Sequence, residues 1–163
     1  MSLDHLWAGW RGEYVGNVDT SSSACVFCGI LDSGAPDEDT FVLRRGRLVF
    51  SIMNLYPYTS GHLMVMPFRH VGELEELTDE EHAELWGAVT DAVRAVKAVY
   101  APDGMNVGIN LGRAAGAGVP GHLHVHVVPR WAADSNFMTA VAGARVLPES
   151  LADSAAKLRE ALA

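Results

Sequence analysis

The stretch His122-Leu123-His124-Val125-His126-Val127-Val128-Pro129-Arg130-Trp131 carries the strongest pattern in this chain. Side chains alternate between the two faces of an extended strand, so the three histidines are predicted on one face and Leu123, Val125 and Val127 on the other, in a core. Successive imidazoles would stand about 7 Å apart at a rise of ~3.3 Å per residue. The strand could simply be polar on one side, but three alternating histidines after a Gly-rich loop favour a functional site.

The composition excludes several classes of protein. The length of 163 residues suits one domain with a sizeable core, and the 49% hydrophobic content indicates a globular chain. The sequence shows no apolar run long enough to cross a membrane and no signal-peptide pattern at its start. The formal net charge of −8 argues against a nucleic-acid-binding protein, although a local site could still bind a phosphate-bearing ligand. Two cysteines without an export signal favour a reducing, cytoplasmic location.

The order of predicted elements indicates an α+β domain with an antiparallel sheet, and no repeat or linker divides residues 1–163. The sequence pattern predicts an N-terminal arm or helix within residues 1–19 and a loop over 32–40. Strands are predicted over 41–44, 48–53, 63–67, 105–111 and 123–129, and the third is expected to be buried on both faces. A capping box, Thr78-Asp79-Glu80-Glu81, opens a helix that runs to about Tyr100, and a C-terminal helix is expected over 149–162.

Other conspicuous side chains are interpreted as structural. The long helix is predicted to pack an apolar stripe that consists of Leu85, Trp86, Val89, Val93, Val96 and Tyr100. The acidic residues between 73 and 81 are interpreted as a solvated face and a helix N-terminus. His62 is interpreted as a turn residue or as a residue behind the site rather than as a catalytic group. Trp131 is expected to line a pocket or a subunit contact.

A Gly-rich loop over residues 110–121 leads into the histidine strand. No bulky side chain stands between Arg113 and Val119, so backbone N–H groups of the loop could approach phosphate oxygens. The loop lacks the Gly-Lys-Ser/Thr ending of a P-loop and leads into a strand instead of a helix. Such loops are more often merely flexible, but imidazoles can act as nucleophiles and as general acids or bases. Beside three of them, phosphate binding is the better interpretation.

The motif His122-x-His124-x-His126 resembles the signature of the histidine-triad (HIT) superfamily of nucleotide hydrolases and transferases. Asn54, the segment Gly61-His62-Leu63-Met64-Val65-Met66-Pro67 and Asn110 resemble further parts of the family's pattern. Over residues 20–148 the chain is most similar to the actinobacterial branch that contains diadenosine tetraphosphate phosphorylase. The resemblance implies a HIT-like fold, a homodimer and a nucleotide substrate that is an adenine dinucleoside polyphosphate or an AMP conjugate.

The resemblance also implies a covalent mechanism. His124 would attack the α-phosphorus and form a nucleotidyl-histidine, and His126 would contact the phosphate and help to manage the charge of the leaving group. Phosphate or water could resolve this intermediate, so phosphorolysis and hydrolysis both stay open. The alternative is a nucleotide-binding or regulatory module with little turnover, which Gly118 would fit.

Four positions match residues that bind the nucleotide in this family. Asn54 would bind the ribose hydroxyls, while Asn110 and the backbone near Gly116 and Gly118 would hold phosphate oxygens. Many family members carry Ser or Thr near position 118, so Gly118 removes a hydroxyl that could donate to the leaving group. Backbone N–H groups or Arg113 could substitute for that hydroxyl.

The motif Cys25-x-x-Cys28 allows three interpretations. A redox pair would follow a thioredoxin-like strand, which residues 20–24 do not resemble, and a chance pair of buried thiols is possible. A structural zinc ion would need two more ligands. In zinc-bearing relatives these are a histidine just after the Gly-His strand and the first triad histidine, which correspond to His70 and His122. We therefore expect Zn²⁺ bound by Cys25, Cys28, His70 and His122.

Overall fold

The computed structural model describes residues 25–132, 134 and 147–163. The predicted N-terminal arm or helix lies outside the described residues, and so does the segment 137–146, for which the sequence predicts no definite structure. Within the described ranges, no helix is long and apolar enough to cross a membrane.

In chain order the helices and strands are α1 (Val26–Asp32), α2 (Asp37–Thr40), β1 (Val42–Arg45), β2 (Val49–Met53), β3 (Leu63–Pro67), α3 (Asp79–Tyr100), β4 (Gly104–Ile109), β5 (Val125–Arg130) and α4 (Leu151–Leu162). The strands form one antiparallel sheet in the order β1-β2-β3-β5-β4. Short 3₁₀ turns cover Leu74–Glu76 and Arg113–Ala115. The predicted α+β fold with one long and one C-terminal helix is confirmed.

The prediction of a loop over residues 32–40 is wrong in its second half, where α2 forms one helical turn. Pro36 precedes this turn with a φ of −56°, and three acidic residues follow it in the first turn, Asp37, Glu38 and Asp39. Both features suit a helix N-terminus, because its backbone N–H groups carry partial positive charge. The Arg159 guanidinium also donates to the Asp37 carbonyl oxygen at 2.7 Å, which ties α2 to α4. Helix α1 was likewise not predicted.

The central strand β3 is buried on both faces, as predicted. Leu63 and Val65 pack into a core with α3 and α4, while Met64 and Met66 pack on the opposite face with Phe27 of α1. The sheet is therefore covered by helices on both sides, and each face carries its own apolar cluster.

The long helix α3 begins at the predicted capping box. Thr78 Oγ1 accepts a hydrogen bond from the Glu81 backbone N–H, and Glu81 Oε2 accepts one from the Thr78 backbone N–H. The apolar stripe is confirmed for Leu85, Val89 and Val96, which are buried. It is wrong for Trp86, which is 44% exposed. Trp86 follows Leu85 directly, and one residue turns the helix by about 100°, which takes Trp86 out of the buried stripe.

Glu81 is also an exception to the predicted solvated acidic face. Its residue is 5% exposed, and both carboxylate oxygens bind the Arg69 guanidinium, at 2.9 Å and 2.7 Å. The capping box turns this side chain back toward the helix N-terminus, where the arginine neutralises its charge.

Candidate active site

The sheet register places His126 on the face that α1 covers; β5 begins at Val125, two residues later than predicted, so His122 and His124 precede the strand. His126 stands opposite Met64 of β3 and opposite Gly108 of β4. Since directly opposite residues share a face, His126 lies on the same side as Met64 and Phe27. Leu123, Val125 and Val127 are buried in the other core, as their alternation predicts.

His124 presents a free ring nitrogen. Its Nδ1 lies 2.7 Å from the backbone carbonyl oxygen of His122, which can only accept, so Nδ1 carries the proton. Nε2 therefore holds a lone pair that can act as a nucleophile. His124 is 5% exposed, and burial lowers its pKa, which favours the neutral ring that nucleophilic attack requires.

His126 has the opposite tautomer, and His62 decides it. The Tyr58 backbone N–H donates to His62 Nδ1 at 3.1 Å, so the neutral His62 ring must carry its proton on Nε2. His62 Nε2 lies 3.0 Å from His126 Nδ1 and donates to it. His126 consequently carries its own proton on Nε2, where it can be donated to an oxygen of the substrate.

Burial and the neighbouring His124 lower the pKa of His126 to about 4. His126 is thus a neutral hydrogen-bond donor at neutral pH. The ring centroids of His124 and His126 are 4.9 Å apart, with the rings nearly perpendicular. The site therefore pairs a lone pair on one imidazole with an N–H donor on the next.

Two of the four predicted nucleotide-binding positions, Asn54 and Asn110, directly follow strands of the sheet. Asn54 follows β2, its Oδ1 accepts from the Tyr56 backbone N–H at 2.9 Å, and its Nδ2 lies 3.4 Å from His62 Nδ1. Asn110 follows β4 directly, beside the pair of Ile109 with Val125 where β5 begins.

The Gly-rich loop follows Asn110 with a 3₁₀ turn. Gly116 ends that turn with a φ of +92°, a conformation that favours glycine, and its N–H donates to the Arg113 carbonyl oxygen at 2.9 Å. Gly118 follows in the half-buried part of the loop.

The four predicted metal ligands come together although three separate segments supply them. The ligand atoms of Cys25, Cys28, His70 and His122 all lie within 4.8 Å of one another. His122 Nδ1 is 3.3 Å from Cys25 Sγ and 3.7 Å from Cys28 Sγ, and His70 Nδ1 is 3.4 Å from Cys28 Sγ. In a tetrahedral zinc site, sulfur and nitrogen ligands stand about 3.6 Å apart, so the group has suitable dimensions.

His122 is also oriented as a metal ligand would need to be. Its Nε2 lies 2.9 Å from the Pro67 carbonyl oxygen, which makes Nε2 the protonated nitrogen and leaves Nδ1 free toward the thiols. The residue is fully buried, and burial lowers its pKa, so the ring is neutral. These residues fit a zinc ion in donor type, number and tautomer.

A sequence profile described as the HIT domain matches residues 35–133, which is more than half of the chain. The chain belongs to the HIT family. It is 46% identical over 157 residues to the AP-4-A phosphorylase of Mycobacterium tuberculosis, and the match covers 93% of this chain and 80% of that relative. The asymmetrical bis(5'-nucleosyl)-tetraphosphatase of Schizosaccharomyces pombe is 38% identical over 93 residues, which are 57% of this chain and 50% of that protein.

Solved structures of HIT proteins share the fold. A Zn-bound histidine triad family protein from Mycobacterium smegmatis superposes with a TM-score of 0.68 and 31% identity, over 85% of this chain and 93% of that one.

His62 is the residue of this HIT site that sequence reasoning undervalued. It is fully buried and is in hydrogen-bond contact with His126. The interpretation as a residue behind the site agrees with this position, but the pattern gave no sign that His62 decides the tautomer of His126. The available signal was a histidine between a glycine turn and a strand buried on both faces, where a polar side chain needs a specific partner.

Proposed function

We propose that this HIT chain is a phosphorylase of dinucleoside polyphosphates that works through a covalent intermediate on His124. The observation that carries the proposal is the pair of complementary tautomers, a free Nε2 on His124 beside an Nε2–H on His126. The names of two relatives support the substrate class, since one is a phosphorylase of AP-4-A and another is a bis(5'-nucleosyl)-tetraphosphatase. Phosphate is preferred over water as the acceptor because the more similar of the two is the phosphorylase.

The proposed reaction consists of two displacements at the α-phosphorus. His124 Nε2 attacks the α-phosphorus, a P–N bond forms, and the bond to the bridging oxygen breaks, so that diadenosine tetraphosphate releases ATP. The neutral His126 N–H donates to a phosphate oxygen and stabilises charge that develops there. Inorganic phosphate then attacks the adenylyl group, which yields ADP and restores His124. Water in place of phosphate would yield AMP.

Product analysis tests this proposal directly. The purified chain is incubated with diadenosine tetraphosphate, with and without phosphate, and the nucleotides are separated. We expect ADP and ATP with phosphate and no turnover by His124→Ala, whereas His82→Ala, a histidine change outside the site, keeps full activity. AMP and ATP would identify a hydrolase instead. Full activity of His124→Ala would refute the mechanism.

The same experiment distinguishes an enzyme from a nucleotide-binding module. Gly118 favours the module, because glycine supplies no hydroxyl to the leaving group. Tight AMP binding by a wild-type chain that forms no product would establish the module. In the enzyme, Arg113 is well placed in sequence to replace the missing donor, since it opens the 3₁₀ turn of the Gly-rich loop.

We propose that Asn54 binds the ribose hydroxyls and that Asn110 and the backbone at Gly116 and Gly118 bind phosphate oxygens. The family pattern supports these roles, and the positive φ of Gly116 supports a close approach of backbone N–H groups. Asn110→Ala is expected to raise KM for diadenosine tetraphosphate more than it lowers kcat. An unchanged KM would remove Asn110 from the proposed site.

We propose a structural zinc ion held by Cys25, Cys28, His70 and His122. The distances among their ligand atoms and the free Nδ1 of His122 support the site, and so does the Zn-bound M. smegmatis relative. When bound, the ion would tie α1 to the segment that precedes β5. We also propose a reducing, cytoplasmic location, with which two cysteines that are not joined by a disulfide agree. Metal analysis of protein purified without a chelator is expected to give about one zinc per chain. If such protein contains no zinc, the proposed site is wrong.

We also propose a homodimer, which the family pattern suggests. Among the residues that the structure describes, β4 is an edge strand of the sheet, and this supports a dimer because Val107 on the strand and Leu111 just beyond it are each 41% exposed. An edge that combines unpaired backbone groups with apolar side chains favours pairing with a second chain. Sedimentation analysis is expected to give a dimer mass, and Val107→Lys should favour the monomer. A wild-type monomer at micromolar concentration would reject this proposal.

A further inference from the structure

The long helix ends against the turn that carries His62. The ring of Tyr100, the last residue of α3, lies directly on Gly61: a Cβ on this glycine would stand 2.6 Å from Tyr100 Cε2 and 2.9 Å from Cδ2. Gly61 has a φ of +77°, which a side chain would also disfavour. His62 is the next residue, so the Tyr100 ring packs against the backbone that positions His62.

Glu149 fixes the Tyr100 ring from the other end. The Tyr100 hydroxyl donates to Glu149 Oε1, which also accepts from Ser154 Oγ at 2.6 Å, while Lys157 Nζ lies 2.5 Å from Oε2. Burial and the hydrogen bond to Glu149 raise the pKa of Tyr100. Burial opposes ionisation of Glu149, but hydrogen bonds from Lys157, Ser154 and Tyr100 outweigh it and lower the pKa of this carboxyl. At neutral pH, a phenol therefore donates to a carboxylate, which makes a strong hydrogen bond.

The turn itself is tied to the sheet on both sides of Gly61. Thr59 Oγ1 donates to the Pro129 carbonyl oxygen at 2.8 Å, and the Asn54 backbone N–H donates to the His62 carbonyl oxygen at 3.1 Å. Gly61 has no side chain with which to hold its own position. Tyr100 supplies the missing packing at that point, and its ring also meets Trp131 edge to face, with centroids 6.4 Å apart.

We propose that Tyr100, anchored by Glu149, is a positioning residue for the His62–His126 pair. Its ring holds the Gly61 turn where His62 Nε2 can donate to His126 Nδ1, and this hydrogen bond keeps the His126 proton on Nε2. The use of that proton in catalysis rests on the function proposed above, whereas its location on the ring does not. A helix on one face of the sheet thereby sets the tautomer of a histidine on the other.

Three variants separate positioning from packing. Tyr100→Leu removes the ring that backs Gly61, Tyr100→Phe keeps the ring without its hydroxyl, and Trp86→Leu removes an exposed aromatic ring from the same helix as a matched control. Nitrogen-15 NMR of the imidazoles reports which nitrogen of His126 is protonated, without any substrate. We expect only Nε2–H in the wild type and in Trp86→Leu, a measurable Nδ1–H population in Tyr100→Leu, and a smaller one in Tyr100→Phe, which keeps the ring but loses the hydrogen bond to Glu149.

Kinetics with diadenosine tetraphosphate and phosphate supply the second measurement. Tyr100→Leu is expected to lower kcat about tenfold with less than about a threefold change in KM, because misplacing one catalytic group affects the transition state more than substrate binding. Tyr100→Phe should recover most of kcat. If Tyr100→Leu does not fold, Glu149→Ala replaces it, with Glu160→Ala, on an exposed residue of α4, as its control. The same His126 signal is then expected to appear more weakly.

An unchanged His126 spectrum in the folded Tyr100→Leu or Glu149→Ala protein would overturn the proposal, even if kcat were lower, because the role would then be structural. An inactive wild-type protein would instead reject the proposed function. The NMR measurement would still decide the role of Tyr100 in that case.

Discussion

The backbone carbonyl oxygen of His122 accepts the Nδ1–H of His124 at 2.7 Å. The side chain of His122 meanwhile points to Cys25 Sγ, 3.3 Å away. One residue therefore contacts the proposed metal group through its ring and the proposed nucleophile through its backbone. Any change that moves His122 will also change the orientation of His124.

Removal of zinc is expected to lower both stability and activity through this link. Cys28→Ser should lose about one equivalent of metal and lower the melting temperature by roughly 10 °C, which corresponds to about 3 kcal/mol for a chain of this size. Calorimetry and metal analysis on the same samples measure the two effects. Ser33→Ala, a change just beyond α1, serves as the control. A metal-free Cys28→Ser protein with wild-type stability and kcat would contradict a structural role.

Loss of His62 should affect catalysis more than binding. In His62→Ala the Nδ1 of His126 loses its hydrogen-bond donor, so both tautomers of His126 become accessible. The fraction of His126 with its proton on Nε2 therefore falls. We expect kcat for diadenosine tetraphosphate to fall by about 10- to 100-fold with little change in KM. His62→Gln, whose amide can donate a hydrogen bond, should recover part of the loss. A kcat that His62→Ala leaves unchanged would show that the hydrogen bond to His126 is not used.

The acidic limb of the rate profile is expected to lie below the ordinary histidine range. Burial lowers the pKa of His126 to about 4 and also lowers the pKa of His124 below its ordinary value of 6.5. Single-turnover rates should therefore begin to decline only at a pH below 6.5, where the first of the two rings becomes protonated. The His82→Ala protein should give the same profile. An acidic limb centred at pH 6.5 would contradict neutral, desolvated histidines.

Acid stability should depend on the Glu81–Arg69 ion pair. The hydrogen bond from Arg69 is the largest cause that lowers the pKa of Glu81, to about 2 from an ordinary value of 4.5. Its contribution to the free energy of unfolding is fully present above pH 4.5 and is lost as the pH falls toward 2. Urea unfolding at pH 7 and pH 3 should show a smaller pH effect for Glu81→Gln than for the wild type. Glu75→Gln, on an exposed residue nearby, should leave the pH effect unchanged.

The elements that depend on local pattern were predictable from the sequence. The period of two in residues 123–127 predicts a strand that buries Leu123, Val125 and Val127, and the capping box predicts the start of α3. Trp86 and Glu81 were harder to assign, because an aromatic ring in an apolar stripe and a carboxylate in an acidic run look alike whether they face solvent or protein. Arg69, twelve residues before Glu81, makes the difference.

The candidate site divides in the same way. The two motifs pointed to three histidines and two cysteines, and the family resemblance added His70. The fold brings the four candidate metal ligands together, although 97 residues separate Cys25 from His122. The role of Tyr100 had no signal in the sequence, because its partners Gly61 and Glu149 are distant in the chain and neither forms a recognisable motif with it.

The sequence by itself determined the strands, the long helix, the alternation of the triad and the family to which the chain belongs, since each depends on spacing along the backbone. The tertiary structure decided what each identical imidazole can do. His122, His124 and His126 carry their protons on Nε2, Nδ1 and Nε2, as Pro67, the His122 carbonyl and His62 require. A neutral imidazole has one donor and one acceptor, so the partner that the fold supplies decides which nitrogen remains free for chemistry.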